Sequence, residues 1–192
     1  MRPWLFEARS WLRTLAENRS GVAAVEFALI VPFMIFLYIG TFEASSLLSA
    51  DRRIQTITAT VGDLVARADG EITAAQLRDY FRAAENIIDP RPAATLVQTV
   101  SVVAVNATGE TTIVWSRRFT AGASNHVAGR SAGQPYPLPA EITGISSNGI
   151  VVASETTYSF TPLLGTVFGA NFPLYRENFY LPRFEGGIAY TP

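Results

Sequence analysis

One short motif in the sequence has the spacing of a catalytic nucleophile. Gly129 to Gly133 reads GRSAG and matches G-x-S-x-G, a pattern that places the serine on a sharp turn between a strand and a helix. A proline-rich stretch follows it here, and the only histidine, His126, precedes Ser131, whereas the hydrolase order requires it afterwards. We therefore expect Ser131 to lie in a flexible glycine-serine loop, with a hydrolase as a distant alternative.

Other groups that could do chemistry are few. All 15 basic residues are arginines and there is no cysteine, which excludes lysine-dependent acylases, P-loop lysines, thiolate nucleophiles and cysteine-bound metals. His126 is expected to be an exposed loop residue, and one histidine cannot form a zinc site. The carboxylates are scattered with no spacing that pairs them: Glu141, Glu155, Glu177 and Glu185. The sequence predicts a protein that is not an enzyme and has no metal or cofactor.

One carboxylate stands in an unfavourable position. Glu26 is the only charge between Arg19 and Glu43, in a stretch that is otherwise almost entirely apolar. A carboxylate is costly in hydrocarbon, so Glu26 is expected to have a compensating partner.

The apolar stretch from Val22 to Phe42 predicts a single membrane-spanning helix, because about 20 residues cross a bilayer. Arginines precede it, and the positive-inside rule then places the N-terminus in the cytoplasm. Two alternatives stay open: a core helix of a soluble domain, and a secretory signal cleaved after LLSA, before Asp51.

Beyond the span, the pattern predicts helices followed by strands. Apolar residues at spacings of three and four, from Ile54 to Ala68, continue the first helix as an amphipathic one that Gly70 ends, about 70 Å from Val22 to Asp69. Thr73 and Gln76 form a capping box for a second helix. Its predicted buried face and its predicted staple together comprise Ile72, Leu77, Phe81, Ala84 and Ile88.

Four strands are predicted after the second helix, at residues 95–105, 111–119, 149–160 and 178–184. The intervening NATGE is read as a hairpin turn, residues 120–148 as a long loop, and Pro182 as a sign of an edge strand. Alternation in the second strand places Ile113, Trp115 and Phe119 on one side. The predicted fold class is α+β, with a long N-terminal transmembrane helix, a second helix and a small antiparallel sheet.

The start of the apolar helix resembles a known family. Gly21, four residues, then Glu26 and the aromatic Phe27 form the processing signature of type IV pilin-like proteins. The continuation AAVEFALIVPFMIFLYIGTFEASSLL is similar to TadE-type pseudopilins of tight-adherence (Flp) pilus assembly systems. Three residues fit that family's pattern further along: Pro32, Gly40 and Glu43. The resemblance is specific over about residues 18–50.

The resemblance implies cleavage between Gly21 and Val22 by a prepilin peptidase on the cytoplasmic side. Residues 1–21 would be a cytoplasmic leader, 22–48 a transmembrane helix and 49–192 a periplasmic α+β domain on the inner membrane. The resemblance also implies that Glu26, with Phe27 beside it in the signature, meets the new N-terminal amine of a neighbouring subunit.

The implied partners are the prepilin peptidase, other pilins and pseudopilins, and the assembly platform with its secretion ATPase. Nucleic acid is not expected as a partner, because the net charge is −1 and no basic run occurs outside the N-terminus. The rival interpretation is an unprocessed, membrane-tethered periplasmic binding or adhesion module.

Overall fold

The structure is a computed structural model that describes residues 20–162, 165, 171–184 and 186–192. The predicted leader therefore lies, except for its last two residues, outside the described residues, as does Glu185. The first element is one continuous helix, α1 (Ser20–Ala66), which confirms that the apolar span and the amphipathic stretch form a single rod. At 1.5 Å per residue its 47 residues extend about 70 Å. Pro32 lies inside the helix without interrupting it.

The two halves of α1 have different surroundings. From Gly21 to Phe42 no side chain is buried, although most are apolar. From Glu43 onward one face is buried against the rest of the chain, with Ile54, Ile57 and Val65 fully inaccessible. The predicted amphipathic stripe is therefore confirmed, except that α1 ends at Ala66, before Ala68 and Gly70.

A second helix, α2 (Ala74–Glu85), begins where the sequence predicts it. The Thr73 side chain accepts a hydrogen bond from the Gln76 backbone N–H, and the Gln76 side chain accepts one from the Thr73 backbone, so the capping box is complete. The predicted buried face packs against α1 through Leu77, Phe81 and Ala84. A short 3-10 turn, Asn86–Ile88, continues the helix.

The described strands are β1 (Glu71–Thr73), β2 (Val97–Val105), β3 (Thr111–Thr120), β4 (Val127–Ala128), β5 (Gly149–Phe160), β6 (Phe172–Tyr180) and β7 (Ala189–Thr191). They form one main antiparallel sheet of five strands in the order β4-β3-β2-β5-β6, and a two-stranded parallel pair, β1-β7. The mixed α+β class is confirmed.

The hairpin turn between β2 and β3 is confirmed. The Asn106 side-chain oxygen accepts hydrogen bonds from the backbone N–H groups of Thr108 and Glu110, at 2.9 and 2.8 Å. Gly109 has a φ of 82°, a conformation that glycine adopts without strain.

Two details of the strands differ from the prediction. The last strand of the sheet covers 172–180 rather than 178–184, so Pro182 lies outside it; Pro173 fits within β6 because an edge strand does not need every N–H. A β-bulge at Val114 shifts the register between Val102 and Val103. Ile113 therefore lies on the opposite face of the sheet from Trp115, contrary to the simple alternation.

The predicted loop 120–148 is partly ordered into elements. It contains the two-residue strand β4 and a short helix, α3 (Ala140–Ile145). Its middle part, residues 129–139, runs alongside β3 and crosses the face of the sheet turned away from α1; we call these residues the strap and that face the outer face. Backbone hydrogen bonds tie the strap to Ile113 and Ser116.

The core has two parts, one on each side of the sheet. The larger one is enclosed by α1, α2 and the inner face, and includes Ile54, Phe81 and Val152. The smaller one lies under the strap and contains Val103, Ile113, Tyr136 and Ala153.

Candidate membrane and assembly surface

The four residues that the sequence singles out lie together at the exposed beginning of α1. Val22 is 54% exposed and Phe27 is 69% exposed. Glu26 is also exposed, and no other residue in the described part of the chain forms a hydrogen bond or ion pair with it. A Cβ added at Gly21 would meet no atom within 4 Å. Val22 and Glu26 are four residues apart and share one helix face.

The surface around these residues is suited to hydrocarbon. Large apolar side chains are exposed on every turn between Val22 and Phe42, and no residue in the most apolar 18-residue stretch of the helix is buried. The Thr41 hydroxyl donates to the Leu37 carbonyl at 2.8 Å, so it does not require water. By length and composition, α1 is one helix that can serve as a single-pass membrane anchor.

The domain begins to contact α1 at Glu43, which is only 1% exposed. One turn later, the Arg91 guanidinium donates to the Ser46 carbonyl at 2.9 Å and to its hydroxyl at 3.1 Å. Arg53 donates to the carbonyls of Ile87, at 2.8 Å, and Asp89. These arginines fasten the segment after α2 to the helix directly above the exposed half.

Polar contacts also join α1 to the edge of the sheet. Asp51 pairs with Arg176 of β6. Further along, Asp63 accepts from Arg67 at 2.5 Å and from Arg183 at 2.7 Å. These two guanidinium groups, Arg67 foremost, hold the pKa of Asp63 below its usual value. These contacts attach the packed half of α1 to the sheet, and the exposed half continues from it without a break in the helix.

The outer face carries a second polar cluster that sequence reasoning missed. Glu155 and Glu177, which no sequence spacing pairs, lie opposite one another on β5 and β6. Glu155, 6% exposed, accepts two hydrogen bonds from Arg130 of the strap, at 2.6 and 3.1 Å, and one from Tyr175 at 2.9 Å. Tyr136 donates to Glu177 at 2.5 Å.

Each carboxylate of this cluster accepts a hydrogen bond within it, and Glu155 also has a cationic partner, Arg130. The hydrogen bond to Glu155 raises the pKa of Arg130, so the guanidinium stays charged. Burial, and then the hydrogen bond to a carboxylate, raises the pKa of both Tyr136 and Tyr175, so the hydroxyls remain donors. The cluster binds the strap to the sheet, because Arg130 and Tyr136 come from the strap and the carboxylates from the strands. Sequence spacing gave no signal for it, because the partners are 20 or more residues apart.

The G-x-S-x-G motif does not form a nucleophile elbow. Ser131 lies in the strap, exposed, after a two-residue strand and before a turn, which agrees with the loop prediction. The prediction for His126 was wrong: it is 8% exposed and packs between the rings of Phe81 and Tyr190. Its Nε2 lies 3.1 Å from the Ala74 carbonyl, so it serves the packing of α2 and not Ser131.

Two further observations bear on chemistry. Burial lowers the pKa of His126, so the ring is neutral at neutral pH. Among the described residues, no group of three or more histidine, cysteine, aspartate or glutamate side chains could hold a metal ion. The described residues therefore provide an exposed apolar helical surface with one carboxylate, Glu26, and a domain attached to the second half of the same helix by hydrogen bonds and ion pairs.

Comparison with known proteins bears on the helix alone. The model of a family described as TadE-like protein matches residues 21–62. This segment of the chain is therefore similar to TadE-like proteins. The match begins at Gly21 and extends through the exposed half of α1 to Gly62, which packs against Tyr180 and Ser154 of the sheet. No curated protein and no solved structure matches the chain.

The TadE-like segment is thus one structural unit, α1 without its first residue and its last turn. It joins the predicted processing residues, the membrane-compatible surface and the packed half in one helix. The family suggests a component associated with the Tad pilus, and it is known as a structural family rather than an enzyme family.

Proposed function

We propose that the protein is a pseudopilin, or minor pilin, of a Flp-type pilus assembly system, with a role in pilus biogenesis and adhesion. The observation that carries the proposal is the TadE-like match, which coincides with an exposed apolar helix that opens on the pilin-type signature. In this proposal α1 anchors the chain in the inner membrane, with the N-terminus in the cytoplasm and the domain in the periplasm.

In the proposed pathway a prepilin peptidase cleaves between Gly21 and Val22 and leaves Val22 with a free ammonium group. Exposure of this segment, and the open space around Gly21, are consistent with access by a peptidase. The position of Glu26, exposed and unpaired in the described single chain, supports pairing with the Val22 ammonium of a neighbouring subunit. The partners would be other pilins, the assembly platform and its ATPase.

The structure also bears on the alternative of a secretory signal. A cut before Asp51 would fall within α1 and remove Glu43 and Ala50, both buried against the domain. It would also remove Ser46, to which Arg91 donates. The proposal therefore keeps α1 from Val22 onward in the mature protein.

The decisive experiment is mass spectrometry of the mature N-terminus, using membrane fractions of cells with and without the candidate prepilin peptidase. The proposal expects a chain that begins at Val22 only when the peptidase is present. A chain that begins at Met1 in both strains would contradict it and indicate an unprocessed, membrane-tethered binding module. A start near Asp51 would indicate a secretory signal.

A further inference from the structure

A groove on α1 lies at the junction between the exposed half and the domain. It is open, has a volume of about 410 Å³, and occupies the helix face opposite the buried one. Its lining residues recur at spacings of three and four, as one face of a helix requires. They are Ser45, Leu48, Ser49, Arg52, Arg53 and Thr56.

The position of this groove relative to a bilayer follows from the exposed apolar surface on its N-terminal side. Leu48 is 60% exposed, so apolar surface continues beyond Phe42. From Val22 to Leu48 the only charged side chains are Glu26, whose pairing with a neighbouring subunit is proposed above, and Glu43, which the domain shields. These 27 residues extend about 40 Å, enough for a tilted helix to cover the ~30 Å hydrocarbon thickness of a bilayer. Ser49 and Arg52 then lie at the level of the lipid headgroups.

The direction of the side chains brings the cation still closer to the membrane. Cα–Cβ bonds in a helix tilt toward its N-terminus, and here that is the membrane side. Arg52 therefore extends back over Leu48, with its aliphatic part on apolar surface and its guanidinium at the boundary.

The charge of the groove is positive. In the part of the chain that the structure describes, the Arg52 guanidinium makes no hydrogen bond or ion pair, although its carbonyl accepts a hydrogen bond from the Thr56 hydroxyl at 3.0 Å. The neighbouring carboxylate of Asp51 is engaged by Arg176. Arg53 is held in place by the carbonyls of Ile87 and Asp89, and no described carboxylate pairs with it.

We propose that this groove binds the phosphate group of an anionic phospholipid in the leaflet on the domain side. Arg52 is the phosphate ligand, because a guanidinium donates two parallel hydrogen bonds to phosphate oxygens. The Ser45 and Ser49 hydroxyls are additional donors, and Leu48 contacts the upper acyl chain. The inference rests on the membrane insertion proposed above for α1.

The test uses the full-length protein in lipid nanodiscs that contain equal amounts of phosphatidylglycerol and phosphatidylcholine. Native mass spectrometry counts the lipids that remain bound after release. We expect preferential retention of phosphatidylglycerol, reduced roughly fivefold in Arg52→Gln, the effect of one basic side chain at an anionic surface. Arg118→Gln is the matched control, because Arg118 is exposed on the sheet without an ion pair among the described residues. It should retain lipid like the unchanged protein.

Unchanged retention would overturn the inference. If Arg52→Gln retains as much phosphatidylglycerol as the unchanged protein, the groove is not a lipid site. If crosslinking between copies decreases at the same time, a second copy of the chain occupies the groove. Flotation with vesicles tests membrane insertion separately. A protein that floats but shows no lipid preference contradicts only the lipid site. A protein that does not float contradicts the proposed membrane anchoring as well.

Discussion

At Glu26 the exposed helix carries its least favourable group. A carboxylate among apolar side chains is costly in a bilayer unless a cation or hydrogen-bond donor meets it. No such partner is found among the described residues of the single chain, which is the basis for the pairing with a neighbouring subunit proposed above.

Replacing this group tests the proposed pairing directly. We expect Glu26→Gln to be cleaved normally but to assemble poorly, because removing one partner of a buried ion pair typically costs about 3–5 kcal/mol. Immunoblotting for the processed form and quantifying sheared pili measure the two steps separately. Glu141→Gln, at an exposed site in α3, is the control. Full assembly by Glu26→Gln would rule out a role for the charge.

His126 is the only histidine, and its surroundings oppose its protonation. Its Nε2 donates to the Ala74 carbonyl, while Nδ1 is buried without a hydrogen-bond partner. A proton on Nδ1 would be a buried, unpaired donor near the cations Arg78 and Arg117. Burial, followed by these cations, keeps the pKa of His126 below 6.5.

This lowered pKa predicts a loss of stability in mild acid. Above pH 6.5 the imidazole is neutral in both folded and unfolded chains, so it has no effect on pH dependence. As the pH falls below 6.5, the unfolded chain binds the proton first, and the free energy of unfolding decreases until the pH reaches the lower pKa of the folded chain.

Two measurements check the His126 prediction. Because there is one histidine, its single imidazole NMR resonance gives the pKa directly, and we expect a midpoint below 6.5. Denaturation of the full chain in detergent at several pH values should show a decrease below pH 6.5 that is smaller in His126→Gln. An identical pH dependence in the two proteins would refute the assignment.

At the scale of elements, α1 depends on one close approach to the sheet. A Cβ at Gly62 would overlap the ring of Tyr180 and lie 3.0 Å from the Cβ of Ser154. Glycine is normally a poor residue for a helix interior, about 1 kcal/mol worse than alanine. Its presence here therefore reflects packing against β5 and β6.

Gly62→Ala should destabilise the domain despite the better helix propensity of alanine. Overpacking typically costs about 1–3 kcal/mol, and the Tyr180 ring must move to relieve it. Chemical denaturation of the full chain in detergent measures the change. The matched control is Gly144→Ala in α3, where a Cβ meets no atom within 4 Å and the effect should be neutral or stabilising. A Gly62→Ala protein as stable as the control would disprove the close packing.

At the scale of the whole molecule, the elements that could be predicted from the sequence are those with local patterns. The helices α1 and α2 were predictable because capping at Thr73 and the apolar spacing from Ile54 to Val65 are local patterns, whereas the short α3 lies in a stretch predicted as loop. The strands β1 and β7 were not predicted, because they are three residues long and pair across most of the chain. A bulge such as the one at Val114 has no local signature in this sequence, and it reverses which face Ile113 occupies.

The residues of the candidate site were likewise predictable only where they lie close together in the sequence. The signature at Gly21, Glu26 and Phe27 is contiguous, so it was visible in the sequence, and the structure adds that these residues are exposed. The cluster of Arg130, Glu155 and Glu177 depends on the strap crossing the sheet, and no spacing could reveal it.

The unbroken course of α1 also fixes a rotational phase between its two halves. Each residue adds 100° of turn and about 1.5 Å of rise, so the azimuth of the domain about the helix axis is set by the number of residues between Glu26 and Glu43. A flexible linker would erase this relation.

Alanine insertions after Tyr38 would measure the phase. One inserted residue turns the domain by about 100° relative to Glu26, whereas seven restore the azimuth to within about 20° while raising the domain by about 10 Å. We expect pilus assembly, scored from sheared pili, to fail with one residue and to recover partly with seven. Equal loss of assembly with one and with seven inserted residues would mean that the height of the domain above the membrane governs assembly. Equal tolerance of both insertions would mean that neither the azimuth nor the height of the domain does. A continuous helix of this kind couples the azimuth of its exposed N-terminal half to that of the domain packed on its second half.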